Sequence, residues 1–120
     1  MPTTRPTSLT FGALLREIAT VHPGRDAVVF ADRRVSYSEL DGQVDAHAKG
    51  LMALGLKHGD RLALLMGNRL DWVVVALAAA RIGVITTAIS TFSTPRELAW
   101  TLDHSEAGVL VTVDRSRSQD

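Results

Sequence analysis

The sequence predicts an α/β fold, with a partial parallel sheet, crossover helices and a small β-hairpin near the start. Three observations carry this. Leu62–Met66 is an unbroken apolar run too short for a helix, which is how a strand covered on both faces reads. Leu70–Ile82 is apolar on nearly every side, broken mainly by Asp71 and Arg81, and such a helix is buried. Gly83 then stands where a left-handed helix cap is needed, and Val84–Ile89 is β-branched enough to be a second strand. Strand, helix and strand in this order imply a parallel pair with a right-handed crossover. The stretch from Gly59 to Ser90 is therefore the unit that the rest of the chain packs around.

The other elements follow in chain order. Residues 1–10 are polar, contain Pro2 and Pro6, and read as a flexible leader. A first helix is expected from about Phe11 to Thr20, with Leu14, Leu15 and Ile18 on one side and Pro23-Gly24 closing it. Ala27–Phe30 and Arg34–Ser36 flank Asp32-Arg33 and form a small hairpin, a lid or edge element outside the main sheet. The second helix opens on three matched signals: Ser36 as N-cap, Glu39 completing a capping box, and Val35 with Leu40 as a hydrophobic staple. Loss of the Ser36 cap costs about 1 kcal/mol. Leu40, Val44, Ala48 and Leu51 recur at helical spacing, and Gly55 ends the helix.

In the central unit, Asn68 is the expected N-cap of the third helix, with Asp71 in its first turn facing the positive end of the helix dipole. After a polar loop at Ser90–Ser93, Thr94-Pro95-Arg96-Glu97 opens a fourth helix. Thr94 caps it, Pro95 takes the first helical position, Glu97 completes the box, and the helix ends near His104-Ser105. Val109–Val113 reads as a third buried-type strand, and the D-R-S-R-S-Q-D that follows is polar with no closing element. Three strands make a small sheet for helices this apolar, so a neighbouring piece of protein is expected.

Composition bounds the function. Over 120 residues the chain is 46% hydrophobic and 22% charged, an ordinary globular composition for one domain or part of one. Thirteen basic residues balance thirteen acidic ones and are scattered, which leaves no electrostatic footprint for nucleic acid or an anionic membrane. With no cysteine there is neither a disulfide framework nor a thiolate metal site. No apolar run has the length of a membrane span or the form of a signal peptide, so the expected location is cytoplasmic.

No catalytic, cofactor-binding or metal-binding residue is assigned from the sequence. Gly55-Leu56-Lys57-His58-Gly59-Asp60 brackets a lysine with glycines, but it runs from a helix into a strand, whereas phosphate loops run from a strand into a helix. It reads as a helix cap and turn. His22, His47, His58 and His104 lie far apart, without the spacing of a helical metal site. There is no G-x-S-x-G elbow. Asp41, Asp45 and Asp71 read as solvated helix acids, and Trp72 and Trp100 as core or interface packing. Ser90–Thr94 follows the carboxyl end of a parallel strand, where open α/β sheets bind ligands, although its composition is equally that of a polar loop entering a capped helix.

Taken together, these segments resemble a family. Val35-Ser36-Tyr37-Ser38-Glu39-Leu40 resembles the first core motif of the adenylate-forming enzymes, which include acyl-CoA synthetases, peptide-synthetase adenylation domains and luciferases. Ala80–Ser90 resembles the second core motif. Gly59–Ala63, Asn68 with Trp72, Thr94–Leu98 and Val109–Thr112 fall at the family's usual places between and after them. The likeness runs from about Phe11 to Val113, and its specificity lies in the order and spacing of motifs that are weak singly. Ala88 and Ser90 replace the proline and asparagine usual late in the second motif, which favours an acyl-CoA synthetase over an amino-acid-activating domain.

The resemblance implies that residues 11–120 are an incomplete N-terminal portion of the family's large domain, ending before its phosphate loop. It also implies a two-step reaction in the full enzyme. ATP and a small-molecule carboxylic acid, with Mg2+, give an acyl-adenylate and pyrophosphate, and coenzyme A then takes the acyl group. The family's phosphate loop, nucleotide contacts, magnesium-binding glutamate and catalytic lysine all lie downstream of Asp120, so none maps onto this chain. Two other functions compete. One is a free-standing, non-catalytic α/β interaction module of the same fold. The other, a phosphate-receiving signalling domain, lacks the acidic cluster at strand ends that its chemistry needs. Neither the oligomeric state nor the identity of the carboxylic acid is legible.

Overall fold

The computed structural model describes residues 10–67 and 69–112. Four helices and five strands follow one another as α1 (Phe11–Val21), β1 (Asp26–Phe30), β2 (Arg33–Ser36), α2 (Tyr37–Ala53), β3 (Arg61–Leu65), α3 (Leu70–Arg81), β4 (Ile85–Ile89), α4 (Pro95–Ser105) and β5 (Val109–Thr112). The hairpin β1–β2 is antiparallel and separate from the main sheet, which is parallel with the order β4-β3-β5. The α/β class, the parallel central pair and the separate hairpin are thus as the sequence implied.

β3 is the central strand. Leu62, Ala63 and Leu64 are each fully buried, as a strand covered on both faces requires. Leu62 and Leu64 point into a core shared with Val44 and Ala48 of α2 and with Val74 and Ala78 of α3. The register places Ala63 and Leu65 beside Thr87 and Ile89 of β4 on the opposite face, and Ala63 and Ile89 are buried there outside that core. α4, which packs on β3 and β4, covers this second face. Helices on opposite faces are what right-handed crossovers require when the chain steps from β3 to β4 and then back across β3 to β5.

Two matched turns deliver the chain into the sheet. At the end of α2, Leu56 N–H donates to Leu51 O and Gly55 N–H to Met52 O, with Gly55 at φ 95°. At the end of α3, Val84 N–H donates to Ala79 O and Gly83 N–H to Ala80 O, with Gly83 at φ 75°. Both are Schellman motifs, and the residues at the positions that pair in such a cap, Leu56 with Leu51 and Val84 with Ala79, are buried in one core. The two turns also hold each other. Gly59 N–H donates to Gly83 O at 2.9 Å and Ile85 N–H to Asp60 O at 2.8 Å, which sets β3 and β4 starting level.

Several boundaries move from their expected places. The hairpin turn is Ala31-Asp32, not Asp32-Arg33, because Ala31 takes the positive φ of 41° and Arg33 begins β2. The hairpin is also more than a lid, since Val35 is 2% exposed within the core. Thr10 is the N-cap of α1, its hydroxyl accepting from Ala13 N–H. Arg69 is the N-cap of α3 and makes no side-chain cap, while Asn68, expected in that role, lies outside the described residues. α3 buries Val74, Val75, Ala78 and Ala79 completely but leaves Trp72, Val73, Ala76 and Leu77 half-buried. Residues 1–9 and 113–120, including the expected end of the third strand at Val113, also lie outside the described residues.

The capping boxes form as read. Glu39 accepts from Ser36 N–H and Ser36 Oγ from Glu39 N–H, and Thr94 and Glu97 repeat the pattern. The backbone hydrogen bond and then the hydroxyl contact of each cap favour the charged carboxylate, holding Glu39 and Glu97 below the usual glutamate range. Folded values below unfolded ones mean that this stabilisation is complete at neutral pH and is lost as pH falls through the lowered folded values. Thermal unfolding followed by circular dichroism from pH 7 to pH 3 is expected to show falling stability at the acid end, with a shallower fall in the Glu39→Gln/Glu97→Gln protein. An equally steep fall in that variant would remove the caps as the cause.

A second expectation concerns Gly83. An added Cβ would lie 2.3 Å from Cδ2 of the exposed His58 ring, which can swing aside, whereas the positive φ cannot be relieved. Gly83→Ala is expected to cost about 1–2 kcal/mol by urea denaturation, the cost of left-handed backbone at a residue with a Cβ. His58→Ala in the same chain is expected to restore little. Near-complete rescue by that second substitution would show the ring contact, not the backbone, to be limiting.

Candidate functional site

The register aligns Leu65 with Ile89 and with Thr112, so the carboxyl ends of all three parallel strands share one edge of the sheet. The chain leaves β3 towards α3 on one face and leaves β4 towards α4 on the other. Loops diverging to opposite faces open the carboxyl edge of an α/β sheet, the usual ligand position in such folds. Met66-Gly67 and Ser90–Ser93 flank this opening. The Ser90 loop was legible in the sequence, but its neighbour at Met66-Gly67 was not, because that pairing depends on a strand order no local pattern encodes.

The polar groups at this edge are largely engaged in local structure. Ser90 Oγ accepts from Phe92 N–H at 3.1 Å and Ser90 O from Ser93 N–H at 3.2 Å, while the Thr94 hydroxyl caps α4. Across the edge, the hairpin turn and the start of α3 enclose a cleft of about 310 Å³ lined by Phe30, Asp32, Arg33, Arg69, Leu70 and Asp71. Its two arginines stand with two aspartates, and Arg69 pairs with Asp71 at 3.2 Å, so the cleft has no excess of charge to hold a phosphate.

Elsewhere the sequence candidates resolve into framework. The Gly55–Asp60 stretch is a closed turn in which Lys57 N–H donates to Asp60 Oδ2 and Asp60 N–H to Lys57 O, both at 2.9 Å. It borders a cavity of about 420 Å³ at the amino-terminal edge of the sheet, opposite the carboxyl ends, where Arg61 pairs with Glu106 at 3.4 Å. The histidines stay apart. His22 terminates α1, His47 Nδ1 lies 2.9 Å from Gln43 O, His58 covers Gly83, and His104 stacks on Trp100 with ring centroids 4.6 Å apart. Among the described residues no three His, Asp or Glu side chains converge as a metal site.

One expectation needs correction. Asp41 is not a solvated helix acid. It lies half-buried between α1 and α3, 2.6 Å from Arg81 Nη2 and 3.3 Å from Arg16 Nε. Arg81 also donates to Gly12 O at 3.1 Å, so one guanidinium joins three helices. A Cβ on Gly12 would approach the Arg81 Cα to 2.5 Å, which is why the smallest residue stands there. Asp45, on the exposed side of this cluster, fits its expected role and is held below the usual aspartate range by its hydrogen bond to Lys49, then by the charges of Lys49 and Arg16. Trp72 packs against the core, but Trp100 is 64% exposed on α4, a helix with no buried residue.

Comparison with known proteins gives this framework a family. The model of the AMP-binding enzymes matches residues 15–120. The putative acyl-CoA synthetase YngI of Bacillus subtilis is 37% identical over 110 residues, which are 90% of this chain and 20% of that protein. In structure, the chain is similar to the N-terminal domain of FACL13 from Mycobacterium tuberculosis, with a TM-score of 0.82 and 32% identity over 86% of this chain and 26% of that one. The O-succinylbenzoate coenzyme A synthetase of Bacillus subtilis also gives a TM-score of 0.82, at 28% identity over 87% of this chain and 27% of that one. The chain spans about a fifth of the length of the curated relatives it matches. A family model that matches nearly the whole chain means that this chain belongs to the AMP-binding enzyme family.

Proposed function

We propose that this chain is the N-terminal part of an ATP-dependent acyl-CoA synthetase, a carboxylate–CoA ligase that makes an acyl-adenylate and transfers the acyl group to coenzyme A. One observation carries the proposal. The family match fills residues 15–120, yet the chain spans only about a fifth of relatives such as the acyl-CoA synthetase YngI. In this reading the motif residues are framework. Ser36 and Glu39 of the first motif start α2, and Gly83 of the second ends α3 and aligns β4. ATP, Mg2+, coenzyme A and a small carboxylic acid are then handled by the rest of the enzyme, in the cytoplasm, and the isolated chain is inactive. No helix among the described residues is long and apolar enough to cross a membrane, which is compatible with that setting.

A ligase of this kind acts by positioning a carboxylate in line with a phosphate and stabilising the charge that develops. The framework contributes indirectly, by fixing the sheet on which such groups are mounted. A non-catalytic interaction module of the same fold is the competing reading. Carboxylate-dependent ATP–pyrophosphate exchange separates them. The pure 120-residue chain is expected to give none, and the polypeptide encoded by the frame continued past Asp120 is expected to give it. Exchange by the short chain would overturn the assignment of these residues to framework, and a stop codon after Asp120 would favour the interaction module.

A further inference from the structure

α4 divides its residues between two faces. Leu98, Thr101, Leu102 and Ser105 recur at the three-and-four spacing of a single helix face and are half-buried, the side on which α4 meets β3 and β4. Arg96, Ala99, Trp100 and Asp103 repeat that spacing on the opposite face, and all four are exposed. A stripe of this kind is what one helix presents to another. It ends in opposite charges, and among the described residues neither Arg96 nor Asp103 has an ion-pair partner. Both also stand against the helix dipole, the cation in the first turn and the anion in the last. Between them Trp100 is 64% exposed, its ring held by stacking on His104 with centroids 4.6 Å apart. An aromatic ring already ordered in the free protein is an anchor that loses little entropy on binding.

The stripe is complementary to itself when turned end over end. A two-fold axis midway between Ala99 and Trp100 sets a second α4 antiparallel to the first. It brings Arg96 of each copy opposite Asp103 of the other and lays each Trp100 against the small Ala99 of the other. A parallel pair would instead set arginine on arginine and aspartate on aspartate. We infer that two copies of this chain associate through α4 about that axis, with the tryptophans at the centre of the interface and the charge pairs at its rim. Each arginine then lies beside the negative pole of the other helix and each aspartate beside its positive pole, so the pairing relieves the conflict with the dipole that α4 carries alone. The inference goes beyond the ligase reading and does not depend on it, because every residue it uses lies on the surface of α4.

A single helix pair is a small interface and gives a weak dimer, so the test is sedimentation equilibrium of the 120-residue chain from about 10 µM to about 1 mM. The chain is expected to pass from monomer towards dimer across that range. Arg96→Asp alone and Asp103→Arg alone each set like charges opposite one another and are expected to raise the dissociation constant at least about tenfold. An equimolar mixture of these two single variants is expected to recover the original affinity within about threefold, because each supplies the charge that the other lacks. Recovery on mixing also shows that both variants are folded. A chain that stays monomeric at about 1 mM overturns the inference. A dimer that tolerates both single substitutions also overturns it and places the contact elsewhere, the open edges of β4 and β5 being the alternatives. A mixture no tighter than its components overturns the antiparallel axis.

Discussion

The whole arrangement hangs on the burial of β3 from both sides. A strand whose Leu62, Ala63 and Leu64 are all fully buried cannot be served by helices on one face alone. Full burial of a leucine side chain contributes about 1.5–3 kcal/mol, so the pair on the α3 face is a large share of what a small domain retains as net stability. The chain meets the demand by reversing direction. It steps to β4 with α3 on one side, then back across β3 with α4 on the other, and chirality fixes which helix goes where. The small side chain of Ala63 allows α4 to approach without burying any residue of its own completely. The result is a three-layer block whose two helix layers are unequal, a thick one of α1, α2 and α3 and a thin one of α4.

The thick layer is tied by a different kind of force. Most of the ion pairs are exposed, and such pairs contribute little. Arg81 differs because its side chain is only 13% exposed and meets both a carboxylate and a helix carbonyl. A guanidinium has enough donors to serve several acceptors in fixed directions, which a lysine ammonium cannot do in the same way. The basic residue in the last turn of a largely apolar helix thus marks the point at which α1 and α2 are held to α3.

Local signals were legible in the sequence, and long-range ones were not. The capping boxes at Ser36 and Thr94 and the glycines at 55 and 83 state their conformations within a few residues, so both limits of α2, the end of α3 and the start of α4 could be read directly. Asp41 could not be distinguished from a solvated acid, because its partner Arg81 is 40 residues away. Trp100, read as core or interface packing, could not be assigned between the two, since α4 has a helical pattern but no buried residue. The strand order, and with it the second loop at the carboxyl edge, depends on which way the chain turned after β4. For the site, the segment's resemblance to two motifs was readable, and in the structure Ser36 and Glu39 of the first cap α2 while Gly83 of the second turns the chain into β4.

The Gly12–Arg81 contact also says something about the order of assembly. These residues are 69 positions apart, so the amino-terminal turn of α1 cannot reach its final partner until α3 has been made. At ribosomal rates of about 5–20 residues per second, that is a wait of roughly 3–14 s. Meanwhile Arg16 can already find Asp41 and Asp45 on α2. Vectorial synthesis would therefore leave α1 half-docked on α2, its Gly12 end open, until Arg81 emerges and closes it.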